Sequence, residues 1–597
     1  MLTIGVTFTG EEIFREKVGV PGARALLSPL DLWDVLEFCA MLNAVNQISV
    51  YEAGGGSKWK SEGGQRLLAR LLKDLLEPVY HPRAWKLYNA SPRFSPLVGA
   101  AINGVIGLAC RWCQERGGER LKSIRYRRNV TRVLFALQGE LMNKVKLAHI
   151  ADEAGLREAF PYVARSILAN KTANMPHDLG RLHALVSRPE VGKVSVRKNG
   201  HSVDDWFKEN IGLPVSQYQC VMTALAAYAG QFKADAPRPE HLWLNMDAFV
   251  NEMGQWCAEV RALIETAQTT PQSLIENWPE PKELADAVYG ADYLLVRPLL
   301  CVANRHLVTS FEAVFANFLR GLTYLSTRVA ERKKCTSGIN LTKEARGGFG
   351  PIFEGYLCWL VHQWFGGTGI AIIEDYRINT LKKGKTPPQG DLLLVCDGVG
   401  YAMEVKAIVP SRQMRKGGEL QIMVDKLVPI EDGTPDPNGL ILQARRLAKG
   451  LVAGAAVQSD GTPIPALKKV FPIGVVFELP LPYPFTNPLE SDIERACGEK
   501  AFQHSDGIAP FQMFEIEAFE ELDEVFEMPS DAAAVLSALQ KRANAQEFRY
   551  ESFETVRGCR GANPKVKPGL LKALADESEG FVKANCKFLK PDSTSHK

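Results

Sequence analysis

Apolar residues recur at spacings of three and four along the first half of the chain, the pattern that predicts amphipathic helices. Proline and glycine residues interrupt this pattern at intervals. The segments in which it is clearest are Leu30–Leu42, Arg66–Leu76, Asn129–Lys146, Ser216–Phe232 and Met246–Ala267. Residues 1–290 are therefore predicted to form a mainly helical N-terminal region.

The next segment, residues 291–345, predicts a change of structure. The stretch 293–308 has the pattern of a β-hairpin that turns at Ala303-Asn304. An amphipathic helix is predicted over Phe311–Ala330, and the charged, glycine-rich stretch 331–350 predicts a linker. This segment would connect the N-terminal region to the domain that follows.

Residues 346–480 predict a domain with the element order α-β-β-β-α-β. The predicted elements are a helix over Pro351–Phe365 with its proline in the first turn, strands over Ile370–Ile378, Asp391–Cys396 and Tyr401–Ile408, a helix over Leu440–Ala456 and a strand over Val470–Leu479. Residues 481–597 predict a C-terminal extension that packs on this domain. The fold class predicted for the whole chain is multidomain α+β.

Composition agrees with several globular domains. The chain has 597 residues, more than one hydrophobic core usually serves, and its 46% hydrophobic and 23% charged residues are ordinary for a globular protein. The twelve cysteines show no repeated metal-binding spacing, and Cys110 with Cys113 predicts two core thiols. The start of the chain lacks a basic segment followed by an apolar one, so the protein is expected in the cytoplasm and away from membranes.

Candidate chemistry lies on the second and third strands of the 346–480 domain. Asp397-Gly398 predicts a two-residue hairpin turn between them. In that register Asp391 faces Glu404, with Cβ atoms about 5 Å apart. Because like charges directly opposite each other are destabilising, the pair predicts a cation between the two carboxylates. Hard oxygen ligands at this spacing suit Mg²⁺ or Mn²⁺.

Two further residues extend this site. Strand alternation puts Lys406 on the same face as Glu404, where its ammonium could position a water and stabilise charge on a phosphate undergoing attack. Glu354, on the preceding helix, supplies a third carboxylate for a metal or for orienting water.

The order of these residues resembles the PD-(D/E)xK nuclease superfamily. The residues that carry the resemblance are Glu354 on the first helix, Gly390-Asp391 on the second strand and Glu404-Val405-Lys406 on the third. The resemblance implies a restriction-endonuclease-like fold over residues 346–480 and Mg²⁺-dependent cleavage of phosphodiesters. It implies catalytic roles for Glu354, Asp391, Glu404 and Lys406, the three acids also as metal ligands, and for Gln443 on the second core helix. Gly390 stands where the family often has proline.

Basic residues flank the predicted site. Lys382, Lys383 and Lys385 precede Asp391, and Arg412, Arg415 and Lys416 follow the third strand. We expect these two groups to contact phosphates. A second basic stretch, 120–132, predicts either a solvated helix face or a further phosphate-contacting strip. His362 is interpreted as a core or rim histidine rather than a general base.

Three functions remain open from the sequence. The first is a metal-dependent nuclease acting on DNA, by analogy a prokaryotic defence or restriction effector, in which the N-terminal region recognises the target or a protein partner. The second is a nuclease-like module that binds nucleic acid or a partner without cutting. The third is a nuclease directed at RNA.

Overall fold

The computed structural model of the chain is mixed α+β, as predicted. It describes residues 7–47, 58–90, 94–115, 124–147, 175–230, 238–251, 253–278, 280–290, 292–302, 305–320, 322–337, 342–379, 387–409, 420–431, 434–478, 486–524, 531–544 and 570–585. Within these ranges, no helix is both long enough and apolar enough to cross a membrane.

The N-terminal region is mainly helical, as predicted. Its helices are α1 (Gly10–Phe14), α2 (Val20–Leu27), α3 (Leu32–Gln47), α4 (Glu62–Leu75), α5 (His81–Ala90), α6 (Gly99–Trp112), α7 (Ile124–Leu147), α8 (Met175–Ser187), α9 (Pro189–Asn199), α10 (Val203–Asn210), α11 (Val215–Gly230), α12 (Met246–Asn251), α13 (Cys257–Glu265), α14 (Pro271–Asn277), α15 (Leu284–Gly290) and α16 (Asp292–Val296). The predicted single helix Met246–Ala267 is wrong. It is divided into α12 and α13 around Gly254, whose φ of 58° is incompatible with a continuous right-handed helix.

A small sheet closes this region. Its strands are β1 (Trp243–Leu244), β2 (Gln268–Thr269), β3 (Leu299–Val302) and β4 (Arg305–Val308), in the order β1-β4-β3-β2. The predicted hairpin is confirmed as the antiparallel pair β3 and β4, while residues 293–296, predicted as strand, belong to α16. The turn residues Ala303 and Asn304 lie outside the described residues.

The predicted linker over residues 331–350 is wrong, because this stretch is largely helical. The elements here are α17 (Phe311–Phe315), a π-helical turn (Ala316–Arg320), α18 (Leu322–Ser337) and α19 (Thr342–Phe365). Phe349 is buried and its ring packs on those of Phe353 and Phe477. This burial outweighs the low helix propensity of the surrounding glycines, so Pro351 lies inside α19 and not in its first turn.

A six-stranded sheet dominates the second half of the chain. Its strands are β5 (Ala371–Ile378), β6 (Gln389–Cys396), β7 (Val399–Lys406), β10 (Ala456–Val457), β11 (Lys469–Val476) and β12 (Gln512–Glu515), in the order β10-β5-β6-β7-β11-β12; β8 (Ile430–Glu431) and β9 (Thr434–Pro435) form a separate ribbon. Strands β5, β6 and β7 are antiparallel neighbours, whereas β11 runs parallel to β7 and to β12.

The remaining helices are α20 (Leu420–Leu427), α21 (Leu440–Val452), α22 (Thr486–Cys497), α23 (Ile516–Glu520), α24 (Asp531–Asn544) and α25 (Leu570–Asn585). The predicted elements occur in their predicted order as α19, β5, β6, β7, α21 and β11, but α20, β8 and β9 lie between β7 and α21, and β10 lies between α21 and β11.

Helices cover both faces of this sheet. On one face, Leu392 and Met403 belong to the buried cluster that contains Phe353 of α19. On the other face, Ala402 belongs to a cluster with Leu447 of α21. The sheet is thus enclosed between α19 and α21.

The main buried cluster extends over most of the chain. It includes apolar residues from Phe8 in the N-terminal region to Leu574 in α25. The rings of Trp206 and Phe349, whose centroids are 5.4 Å apart, join the N-terminal region to α19. The division into four domains stays a prediction, and the described residues share a core across its boundaries.

Candidate active site

The turn between β6 and β7 sets the register of the site. Both residues of the Asp397-Gly398 turn have positive φ, 51° and 77°, as a two-residue hairpin turn requires. The two strands pair in the predicted register as far as Leu392 and Met403. One step further, the same register sets Asp391 opposite Glu404.

At this position the side chain of Asp391, and not its backbone, bonds to the neighbouring strand β7. Its Oδ2 accepts a hydrogen bond from the backbone N–H of Val405 at 2.8 Å. The bond fixes the carboxylate between β6 and β7 and leaves Oδ1 directed to other partners.

Asp375 on β5 adds an acid that the sequence analysis missed. Strands β5 and β6 pair on either side of it, in a register that puts it opposite Asp391. Its φ of 52° lies in the left-handed region, which costs a non-glycine residue energy and is often found at functional sites. The one signal in the sequence is an acidic pair, Glu374-Asp375, that directly follows the apolar run Ile370–Ile373 in the predicted strand. Asp375, Asp391 and Glu404 thus form one row across three neighbouring strands, hereafter the acid row.

Glu404 is the most enclosed member of the acid row, with no exposed surface. Its Oε1 lies 2.7 Å from Nζ of Lys406, and its buried Oε2 has no hydrogen-bond partner among the described residues. Burial raises the pKa of Glu404 well above its ordinary value, and the charge of Asp391 raises it further, while Lys406 opposes the shift. The carboxylate therefore has one oxygen to offer to a ligand.

Lys406 is held from the α21 side, as strand alternation predicts. Its Nζ donates to Oε1 of Gln443 at 3.2 Å, and Nε2 of Gln443 donates to the backbone oxygen of Gln389 at 2.7 Å. Gln389 in turn donates from Nε2 to Oδ1 of Asp375 at 3.0 Å. Burial acts to lower the pKa of Lys406, but Glu404 and Asp391 outweigh it and raise that pKa, so the ammonium stays charged.

Glu354 reaches the acid row from α19, with Lys198 of α9 between them. The Lys198 ammonium is paired with Glu354 and lies 3.3 Å from Oδ1 of Asp391 and 3.4 Å from Oδ1 of Asp375. Burial raises the pKa of Glu354 to about 7, and Asp391 adds to the shift while Lys198 opposes it. For Lys198, burial acts to lower the pKa, but the carboxylates of Asp391 and Glu354 raise it overall.

Close helix packing carries Lys198 into the site. A Cβ atom on Gly355 would lie 2.4 Å from the backbone oxygen of Val191, so glycine is required where α9 crosses α19. Gly200, with φ of 77°, ends α9 directly after its last turn. Lys198 has no signal in the local sequence, because its place depends on this contact between segments far apart in the chain.

Gly390 lies against an aromatic ring that leaves no space for a side chain. A Cβ atom at this position would lie 2.3 Å from the ring of Tyr376, which is fully buried against it. The ring of Tyr376 thus occupies the space that a side chain at residue 390 would take.

A second set of charges lies at the rim of the acid row. Arg197 contacts Oδ2 of Asp375 at 2.5 Å and Oε2 of Glu374 at 3.3 Å. Nε2 of His362 lies 2.8 Å from Oε1 of Glu374. His362 is therefore a rim residue, linked to the acid row through Glu374 and Arg197.

The basic residues expected to bind phosphate are either outside the described residues or paired with acids. The six residues flanking the site, Lys382, Lys383, Lys385, Arg412, Arg415 and Lys416, lie outside the described residues. Part of the 120–132 stretch is described, and there Arg127, Arg128 and Arg132 pair with Asp74, Glu77 and Glu16. These arginines join α7 to neighbouring elements of the N-terminal region.

The donor set fits a hard divalent cation, although the side chains are not arranged around one. In the described part of the chain, no group of three or more His, Cys, Asp or Glu residues has a metal-binding arrangement. The acids are instead paired with ammonium groups, since Lys198 contacts Glu354, Asp375 and Asp391 while Lys406 contacts Glu404. The acids still outnumber the bases, and the free Oε2 of Glu404 is the type of donor that Mg²⁺ or Mn²⁺ prefers.

Comparison with protein-family models, with curated proteins and with solved structures gave no match.

Proposed function

We propose that this protein is a metal-dependent nuclease of the PD-(D/E)xK type that hydrolyses phosphodiester bonds, in DNA rather than RNA. The observation that carries the proposal is the pairing of Asp391 with Glu404 beside Lys406. Glu404 is completely buried, yet one of its oxygens has no hydrogen-bond partner among the described residues. A buried carboxylate of this kind is costly unless a cation completes its surroundings.

Each residue then has a chemical task. Asp391, Glu404 and Glu354 would hold Mg²⁺ or Mn²⁺, which supplies a Lewis acid for the phosphate and makes bound water more acidic. Lys406 orients the attacking water and stabilises the negative charge that grows on the phosphate oxygens. Gln443 accepts a hydrogen bond from Lys406 and so holds its ammonium at the acid row.

The wider assignment follows the same resemblance. The proposal includes DNA as the substrate, a target- or partner-binding N-terminal region and a role in restriction or defence. It also includes contacts to the phosphate backbone by six basic residues: Lys382, Lys383, Lys385, Arg412, Arg415 and Lys416. The nine cysteines whose side chains the structure describes are all free thiols, which suits the cytoplasm.

A second function is favoured by one observation, the contact of Lys198 with three carboxylates. An ammonium in that place gives the three acids a common partner without a metal. The protein would then be a nuclease-like module that binds nucleic acid or a protein partner without cutting.

A substrate panel separates the two functions. The full chain is incubated with duplex DNA, single-stranded DNA and RNA, each with Mg²⁺, Mn²⁺ or EDTA, beside Asp391→Asn and the exposed control Asp425→Asn. We expect cleavage of DNA with either metal, its loss in EDTA and in Asp391→Asn, and its retention in Asp425→Asn. Binding without cleavage under every condition would favour the module.

A further inference from the structure

The position of Lys198 is that of a cation surrounded by acids. Its Nζ contacts one oxygen from each of Glu354, Asp375 and Asp391, which come from α19, β5 and β6. These are carboxylates from three separate elements of the nuclease-like domain. The ammonium that joins them comes from the N-terminal region.

Asp375 makes this contact from a strained backbone conformation. Its backbone is in the left-handed region, at the residue where β5 and β6 lack a regular pair. Its Oδ1 faces Lys198 and Gln389, while its Oδ2 faces Arg197. Strain of this kind persists where surrounding contacts enforce it, and here the contacts direct one more carboxylate at a single point.

The charges at this point favour a divalent ion over an ammonium. Glu354, Asp375 and Asp391 carry three negative charges when ionised, whereas Lys198 supplies one positive charge and Arg197, paired with Asp375, supplies a second. A divalent ion supplies two and binds oxygen at about 2.1 Å for Mg²⁺, closer than the 3.3 Å and 3.4 Å between Nζ and the two aspartates. Lys198 is also partly exposed, with 22% of its side-chain surface accessible, so its flexible stem has a route out to solvent.

We propose that a divalent cation binds among Glu354, Asp375 and Asp391 in the place of the Lys198 ammonium, so that metal loading and insertion of Lys198 exclude each other. The inference rests on the proposed function in taking Mg²⁺ or Mn²⁺ as the cofactor. It adds Asp375 as a metal ligand, and it makes α9 an internal competitor of the metal. Anything that moves α9 away from α19 thereby favours the loaded site.

The test measures Mn²⁺ binding to the full, metal-free chain by calorimetry, without substrate. Lys198→Met removes the competitor and should bind Mn²⁺ about tenfold more tightly or better, within the usual range of coupling between competing states. Asp375→Asn removes a ligand and should bind Mn²⁺ about tenfold more weakly or worse. Lys193→Met, an exposed lysine on the same helix, and Asp425→Asn should match the wild type.

Folding is followed in the same samples by thermal melts with and without Mn²⁺. Lys198→Met leaves three carboxylates without their common partner, so it should melt lower than wild type without metal and gain more from Mn²⁺. Asp375→Asn lessens the repulsion among the acids, so we expect it to fold. If Lys198→Met does not fold, the Mn²⁺ affinity of Asp375→Asn decides whether the proposed metal site is correct.

Each outcome has one meaning. Tighter binding by Lys198→Met together with weaker binding by Asp375→Asn supports the inference. If the wild type binds Mn²⁺ and either variant binds it equally well, the inference is overturned while the proposed function stands. If no variant binds Mn²⁺, both fall, and Lys198 is the permanent partner of the acids.

Discussion

Helix α19 contacts two buried charged clusters, and the two are built differently. Two residues beyond Glu354, Tyr356 donates from its hydroxyl to Oε1 of Glu520 at 2.7 Å. Arg181 donates to both oxygens of the same carboxylate, at 2.7 Å and 2.6 Å, and lies 3.2 Å from Asp178. This Arg181 cluster joins the N-terminal region, α19 and α23 through a fixed, bidentate pair.

The acid row lacks that closure. Together with Glu354 it has four carboxylates against three bases, two of these bases are flexible lysines, and Glu404 keeps an oxygen without a hydrogen-bond partner among the described residues. Burial of charge is therefore a poor guide to function in this protein. A better indicator of a functional site is an excess of negative charge whose positive partners are flexible side chains.

The largest effect is expected in the Arg181 cluster. Arg181→Met leaves Glu520 buried and without its charged partner, which should lower the free energy of unfolding by about 3–5 kcal/mol. Chemical denaturation measures the loss. The control is Lys449→Met, which breaks an exposed pair with Glu499 and should cost about 1 kcal/mol or less. Equal losses in the two variants would remove the distinction between a structural cluster and a surface pair.

Lys406→Met is expected to act on catalysis instead. Because the ammonium stabilises charge in the transition state, kcat should fall about 10²–10³-fold, or about 2.7–4 kcal/mol, while Mn²⁺ affinity changes little. Single-turnover cleavage and calorimetry on the same preparation separate the two quantities. Retained turnover with lost metal binding would reverse the role given to Lys406.

The metal-free protein should also lose stability as pH rises. The pKa of Glu354, about 7 in the folded chain, lies above its ordinary value of 4.5, so folding favours the protonated form. Its contribution is complete below pH 4.5 and is lost as pH rises through 7, by about 2 kcal/mol between pH 5 and pH 8. Denaturation in EDTA at these two pH values measures it, and Glu354→Gln should reduce the difference, while the raised pKa of Glu404 acts in the same direction and remains. A stability that rises over this interval in the wild type but not in the variant would contradict the burial argument.

The smallest effect is expected from Glu404→Gln without metal. Removing one charge from an acid row with excess carboxylate relieves repulsion, so the free energy of unfolding should stay within about 1 kcal/mol of wild type or rise. The corresponding change in the other cluster, Glu520→Gln, should destabilise clearly because Arg181 then lies buried with its partner neutralised. Melts of the two variants under the same conditions test this difference. A similar loss of stability in Glu404→Gln and Glu520→Gln would show that Glu404 is structural.

Local patterns predicted the part of the site that depends on neighbouring residues. The Asp397-Gly398 turn fixes the pairing of β6 and β7, and alternation then puts Glu404 and Lys406 on the α21 face, where Gln443 meets them. These relations depend on a turn and two periodicities, which are properties of short segments.

The rest depends on departures from those periodicities. Ile373 packs on the α21 side, and so do Tyr376 and Ile378, which strict alternation would put on the opposite side. The positive φ of Asp375 makes this change of face, and alternation alone does not reveal it. Likewise α19 begins at Thr342 because Phe349 is buried by distant aromatic rings, against the local glycine pattern.

The central claim is that Asp391 and Glu404 form a metal-dependent centre for phosphodiester cleavage. The most direct measurement is the rate of duplex DNA cleavage by the full chain as Mg²⁺ is titrated, with Glu404→Gln purified in the same way. The account predicts a rate that rises with Mg²⁺ to a plateau in the wild type and stays at background in Glu404→Gln. Cleavage by Glu404→Gln at the wild-type rate, or no cleavage by the wild type at any Mg²⁺ concentration, would contradict it.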